Sequence, residues 1–203
     1  MLLSATSRAF FTEQVSVVAT RKAGVNLQFS DEERQLMKDL VRESIESELL
    51  DRKEKPLPVP ERLKERMGAF VCLKTHGQLK GCIGHIKGVL PLDQTVREMA
   101  RQAAFHDPRF APLDPDEWKN TEIEISVLTP MRKIDDIEEI EVGVHGLYIE
   151  RGLDTGLLLP QVAVEYAWDR KTFLEYACLK AGIPRDAWKS KETKIYIFSA
   201  DVF

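Results

Sequence analysis

Two short segments constrain this chain more than any others. Gly68–Thr75 (GAFVCLKT) and Leu79–Ile86 (LKGCIGHI) both carry the β-branched and apolar residues of a strand, and His76-Gly77 between them suits a tight turn because glycine tolerates positive φ. The second segment holds Cys82 between Gly81 and Gly84. Two glycines in four residues weaken a strand by their entropy and missing side chains, so backbone or ligand is expected to come close there. With a two-residue loop Thr75 faces Gln78, Cys72 faces Gly81 and Val71 faces Cys82. Side chains alternate along a strand, so this register sends the two thiols to opposite faces. A three-residue loop would instead set Cys72 opposite Cys82.

The remaining elements follow from capping and periodicity. Ser30 and Glu33 have capping-box spacing, and Leu36, Leu40, Ile45 and Leu49 recur near helical period, which predicts a helix over about 31–50. Pro56, Pro58 and Pro60 make an extended connector. Pro91-Leu92-Asp93 opens a helix with Val96, Met99, Ala100, Ala103 and Ala104 on its apolar side; it ends before Pro108. Residues 114–118 read as a helical turn. Thr121–Leu128 alternates Ile123, Ile125 and Val127 with Glu122, Glu124 and Ser126, a strand with one buried face. A hairpin around Gly152 and Asp154, a helix capped by Asp169 through about Ala181, and a strand over 193–203 complete the chain. Strands and helices do not alternate strictly, so an α+β fold with a mainly antiparallel sheet against helices is expected, organised as two lobes.

Four segments could carry chemistry. Cys82 is a candidate nucleophile if a cation or a helix N-terminus stabilises its thiolate; the plain alternative is a buried structural thiol among Val71, Leu73 and Ile86. His85 lies on the opposite face of a regular strand and makes a poor direct base. His106-Asp107-Pro108-Arg109-Phe110 packs an imidazole, a carboxylate and a guanidinium together, so His106 could move a proton and Arg109 hold an anion. The alternative is a helix-ending turn in which His106 complements the helix dipole and Asp107 bonds backbone amides. Glu124 and Ser126 could line a cleft or face water. Leu159–Ala163 could border a pocket or pack in the core.

Several classes are disfavoured. No CxxC, HExxH or CxxxH spacing occurs, nor a P-loop, a GxGxxG turn or a GxSxG elbow, so no metal or cofactor is expected. A net charge of -4 and a pI near 5.7 argue against a general nucleic-acid surface. No apolar run approaches the ~20 residues of a membrane span. Three cysteines without a secretory segment suggest reduced thiols and a cytoplasmic location. Residues 1–29 read as an extension, poorly ordered or faintly transit-like, before a domain over 30–203.

In combination, Leu79–Gly84, His106–Phe110, Glu124–Leu128, Leu159–Ala163 with Trp168-Asp169 and Phe173-Leu174, and Lys180–Pro184 with Trp188 resemble the AMMECR-type domain family. The likeness runs in register over about residues 30–203. One departure is Lys80, where the family usually shows arginine: charge is kept and the planar fork lost. The resemblance implies two α/β lobes of unequal size with an inter-lobe cleft that the Gly81–Gly84 segment lines or supports. It also implies Memo-type and radical-SAM proteins as partners, or a regulatory role tied to transcription, replication or translation. Two functions follow. In one, the protein is an enzyme or small-molecule-binding component, with a ligand near Cys82 and Lys80, Gly81, Gly84, His106, Arg109 and Glu124 as contacts. In the other, it is a protein-interaction module that catalyses nothing.

Overall fold

The computed structural model describes residues 24–203, so most of the expected N-terminal extension lies outside the described residues. The chain divides into two compact units. The first comprises 28–128 with Val202 and Phe203; the second comprises 129–201 with the described residues 24–27.

In the first unit, α1 (Asp31–Leu49) begins at the predicted capping box: Ser30 Oγ accepts from the Glu33 amide, and Glu33 Oε2 accepts from the Ser30 amide. Its buried stripe is Met37, Leu40, Val41 and Ile45, rotated from the expected one, with Leu36 and Leu49 at its margins. α2 (Leu92–Phe105) buries all five residues assigned to its apolar side. The sheet of this unit is antiparallel, in the order β2 (Gln78–His85), β1 (Gly68–Thr75), β3 (Thr121–Leu128). Ala69, Val71, Leu73, Ile123, Ile125 and Val127 form its buried face. The turn of α3 (Pro115–Trp118) is capped by Asp114. Ile125 and Phe203 exchange two backbone hydrogen bonds, of 2.9 and 3.1 Å, which ties the end of the chain to β3.

The hairpin register corrects the sequence expectation. The turn has two residues, His76 and Gly77, both at positive φ, and Thr75 does face Gln78. Lys74 still faces Leu79, but Leu73 faces Gly81, so Lys80 is an extra residue in β2, a β-bulge. Beyond it every pair is shifted by one, and Cys72 faces Cys82. The two sulfurs therefore share a face, opposite to the one that Val71 and Leu73 bury.

In the second unit, β4 (Arg132–Ile134), β7 (Lys194–Val202), β5 (His145–Arg151) and β6 (Asp154–Leu158) form an antiparallel sheet in that order. α4 (Pro160–Glu165) follows β6, and α5 (Arg170–Lys180) starts at Asp169, whose side chain accepts from the Thr172 amide. Phe173, Leu174, Ala177 and Cys178 of α5 join Leu147, Ile149, Leu158, Ile195 and Ile197 in one core. Gly156 permits close packing: a Cβ there would sit 2.4 Å from the Ala181 nitrogen. The predicted α+β class, antiparallel strands with flanking helices, holds in both units.

Candidate functional site: the cysteine bulge and its clamp

β2 is the edge strand of the first unit. After the bulge, the N–H and C=O of Cys82 point away from β1, and an edge strand leaves such groups without ladder partners. The segment after α2 supplies them. Asp107 Oδ2 accepts from the Cys82 amide at 3.0 Å, and Arg109 Nη2 donates to the Cys82 carbonyl at 3.0 Å. Asp107 and Arg109 are themselves paired: Nε donates to Oδ1 at 2.9 Å and Nη2 to Oδ2 at 2.6 Å, and the Arg109 amide donates to Oδ1 at 3.1 Å. This is a fork-to-fork pair, the strong geometry for guanidinium and carboxylate.

The Asp107 side chain is 1% exposed and that of Arg109 28%. Burial alone would raise the Asp107 pKa. The hydrogen bonds from the Arg109 side chain and from the Cys82 and Arg109 amides outweigh it and hold the carboxyl below the ordinary aspartate range. Asp107, read from sequence as a bonder of backbone amides, is thus the centre of the site. The Asp-x-Arg spacing could have suggested its bond to the Arg109 amide; its bond to Cys82 is long-range and left no local signal.

Cys72 and Cys82 are bridged, with Cα atoms 4.1 Å apart. Both sulfurs were expected to be reduced, on opposite faces; the shifted register joins them instead. Cys82 is half-buried and does not pack among Val71 and Leu73, which lie on the other face. Cys178 is the free thiol, fully buried in the second unit, and burial pushes its pKa up.

The two glycines answer to protein atoms. A Cβ on Gly81 would stand 2.0 Å from the Ala103 carbonyl oxygen of α2, and one on Gly84 2.3 Å from the Phe70 ring. Of the charged candidates, Lys80 pairs with Glu117, and Glu124 pairs with Lys74 at 3.2 Å. Glu124 faces Cys72 across β1 and β3, so it shares a face with the cysteine pair, as does Ser126, which is 1% exposed rather than water-facing. His106 caps α2 and is exposed. The structure therefore brings Cys82, Arg109 and Asp107 together around one strand edge and places Glu124 on the face of the cysteines. Among the described residues, Lys80 and His106 join neither group by a hydrogen bond or ion pair. An open depression of about 460 Å³ borders Lys80 and Glu117, lined also by Thr75, His76 and Gln78. Among the described residues no group of histidine, cysteine and carboxylate side chains could hold a metal ion, and no helix is long and apolar enough to cross a membrane.

The fold and this clamp define an α+β protein with a bulged cysteine hairpin buttressed by an Asp-Pro-Arg turn. The chain belongs to the AMMECR1 family, whose model matches residues 38–203. A protein of Aquifex aeolicus is 49% identical over 160 residues, covering 73% of this chain and 82% of its own length. One of Methanothermobacter thermautotrophicus is 43% identical over 182 residues, covering 85% and 94%. The crystal structure of an uncharacterized protein from Pyrococcus horikoshii superimposes with a TM-score of 0.81 at 39% identity, covering 86% of this chain and 92% of that one.

Proposed function

We propose that this protein is a non-catalytic component that docks a protein partner, with the cysteine hairpin serving the architecture of the docking unit. One observation carries the reading: of the groups that sequence marks as ligand contacts, all but the exposed His106 are engaged by the protein itself. Arg109 is held by Asp107 and the Cys82 carbonyl, Lys80 by Glu117 and Glu124 by Lys74. Gly81 and Gly84 are filled against by Ala103 and Phe70. The family resemblance supplies the partner class, a Memo-type or radical-SAM protein, and the domain over 30–203 is the part that would dock. The test is titration of the full chain with a purified Memo-type protein and with a radical-SAM protein, followed by calorimetry. Saturable one-to-one binding to either supports the reading, and binding to neither overturns it.

A second reading has its own support in the depression beside Lys80 and in the half-buried position of Cys82. In it the protein binds or transforms a small molecule, with Cys82 as candidate nucleophile and Lys80, Gly81, Gly84, His106, Arg109 and Glu124 as contacts. A small-molecule screen against reduced protein tests it. A hit that binds the wild type, Cys82→Ala and Arg109→Ala equally tightly would remove those residues from the role.

A further inference from the structure

We propose that Cys72 and Cys82 are a reversible dithiol–disulfide couple that exchanges with low-molecular-weight disulfides, Cys82 entering the exchange and Cys72 resolving it. This inference is independent of the docking reading.

The pairing does not depend on the bond between the sulfurs. Cys82 directs its amide and carbonyl outward to Asp107 and Arg109, so Cys72 and Cys82 face each other as a non-hydrogen-bonded pair, the arrangement that brings opposed side chains closest in an antiparallel ladder. β1 is held on both sides, by β2 and β3, and the outer edge of β2 at Cys82 is clamped by the Asp107–Arg109 fork. When the bond opens, the same contacts keep the two thiols opposed, ready for closure. The two residues are also unequally exposed. Cys72 lies on the central strand and is 6% exposed, whereas Cys82 lies on the edge strand and is half-buried. Exchange follows access, so an incoming disulfide meets Cys82 first. Cys178, fully buried in the core of the second unit, stays outside the couple.

The step balances as follows. The Cys82 thiolate attacks one sulfur of a small disulfide RSSR, forming a mixed disulfide and releasing one RS⁻. The Cys72 thiolate then attacks the Cys82 sulfur, forming the Cys72–Cys82 bond and releasing the second RS⁻. The protons of the two protein thiols end on the two released thiolates. Two electrons pass from the protein to RSSR, and excess RSH drives the reverse.

The test uses the full chain in mixtures of reduced and oxidised glutathione, quenched with acid, denatured, alkylated and weighed intact. The chain has three cysteines, so the proposal expects three alkylated thiols at the reducing end and Cys178 alone at the oxidising end, joined by one two-electron transition. It also expects Cys72→Ser to accumulate a glutathione adduct at Cys82. Cys82→Ser should acquire one at Cys72 roughly tenfold or more slowly, because rate follows access. Three free thiols at every ratio, or a bridge that persists in a large excess of reduced glutathione, would overturn the proposal. Equal adduct rates in the two variants would overturn the assigned roles. The wild-type titration decides the couple even where a variant does not fold.

Discussion

Replacing Gly81 by alanine separates two meanings of the glycine pair around Cys82. A glycine kept for a ligand leaves open space where its side chain would be. At Gly81 that space is the backbone of α2: the added Cβ would lie 2.0 Å from the Ala103 oxygen and 2.8 Å from its carbonyl carbon. Ordinary contact starts near 3.4 Å, so strand and helix must separate by on the order of 1.4 Å, enough to lose much of the dispersion well across their interface. Ala103 is buried and belongs to a helix, so it has no side-chain rotation with which to yield. Overpacking of a core costs ~1–3 kcal/mol, and a backbone clash belongs at the upper end. The loss of glycine's chain entropy returns ~0.5–1 kcal/mol. The net loss is about 2 kcal/mol, read as a lower urea midpoint at unchanged slope, or a Tm lower by roughly 4–8 °C. Gly77→Ala is the control: nothing lies within 4 Å of its added Cβ, but its φ is +75°, so it should lose about 1–2 kcal/mol from left-handed backbone alone. A Gly81→Ala protein with the wild-type midpoint would refute the packing argument and return the glycine to a ligand.

Asp107→Asn weakens the clamp by taking the charge from a buried carboxylate that pairs with Arg109; with Arg109 partly exposed, the loss should be about 2 kcal/mol, measured by urea unfolding. The Asp107 pKa is lowered on folding, so its contribution is complete above the unfolded value of ~3.9 and fades as pH falls through the lower folded value. The wild type should therefore lose stability below about pH 4, and Asp107→Asn should show a shallower loss there; identical pH profiles would contradict the pairing. Cys178, buried and with its thiol pKa raised, should resist iodoacetamide in the folded protein and react only on unfolding, as peptide mapping would show. Ser30→Ala removes half of a capping box and should cost about 1 kcal/mol, checked by thermal unfolding.

Much of the architecture was legible because it is local. The Ser30–Glu33 box, the alanine-rich side of α2, the alternation of β3 and the Asp169 cap are each written within a few residues, and each appears in the structure. The bulge at Lys80 was not. Its position depends on which atoms α2 and the segment after it present to β2: Ala103 admits only a glycine, and Asp107 with Arg109 takes up one amide and one carbonyl of the strand edge. Those partners lie more than twenty residues away from Cys82 in the chain, so turn length alone gave the wrong register beyond Lys74. The same distance hid the central place of Asp107. The rotated stripe of α1 has a similar cause, since Met37 and Val41 were available to the same period as Leu36 and tertiary packing chose between them. Ser126 followed the alternation yet is buried, because strand periodicity assigns a face and not what covers it.

The direct measurement of the central claim is the register at the two cysteines, by nuclear Overhauser contacts in labelled full-length protein, with and without reductant. A non-hydrogen-bonded antiparallel pair brings its two Hα atoms closest together. The structure predicts a strong Hα–Hα contact between Cys72 and Cys82 in both conditions, with the Cys82 amide protected by Asp107. A strong Hα–Hα contact that instead joins Cys72 to Gly81 would mean an unbulged strand with its thiols on opposite faces, and would contradict both the clamp and the couple built on it.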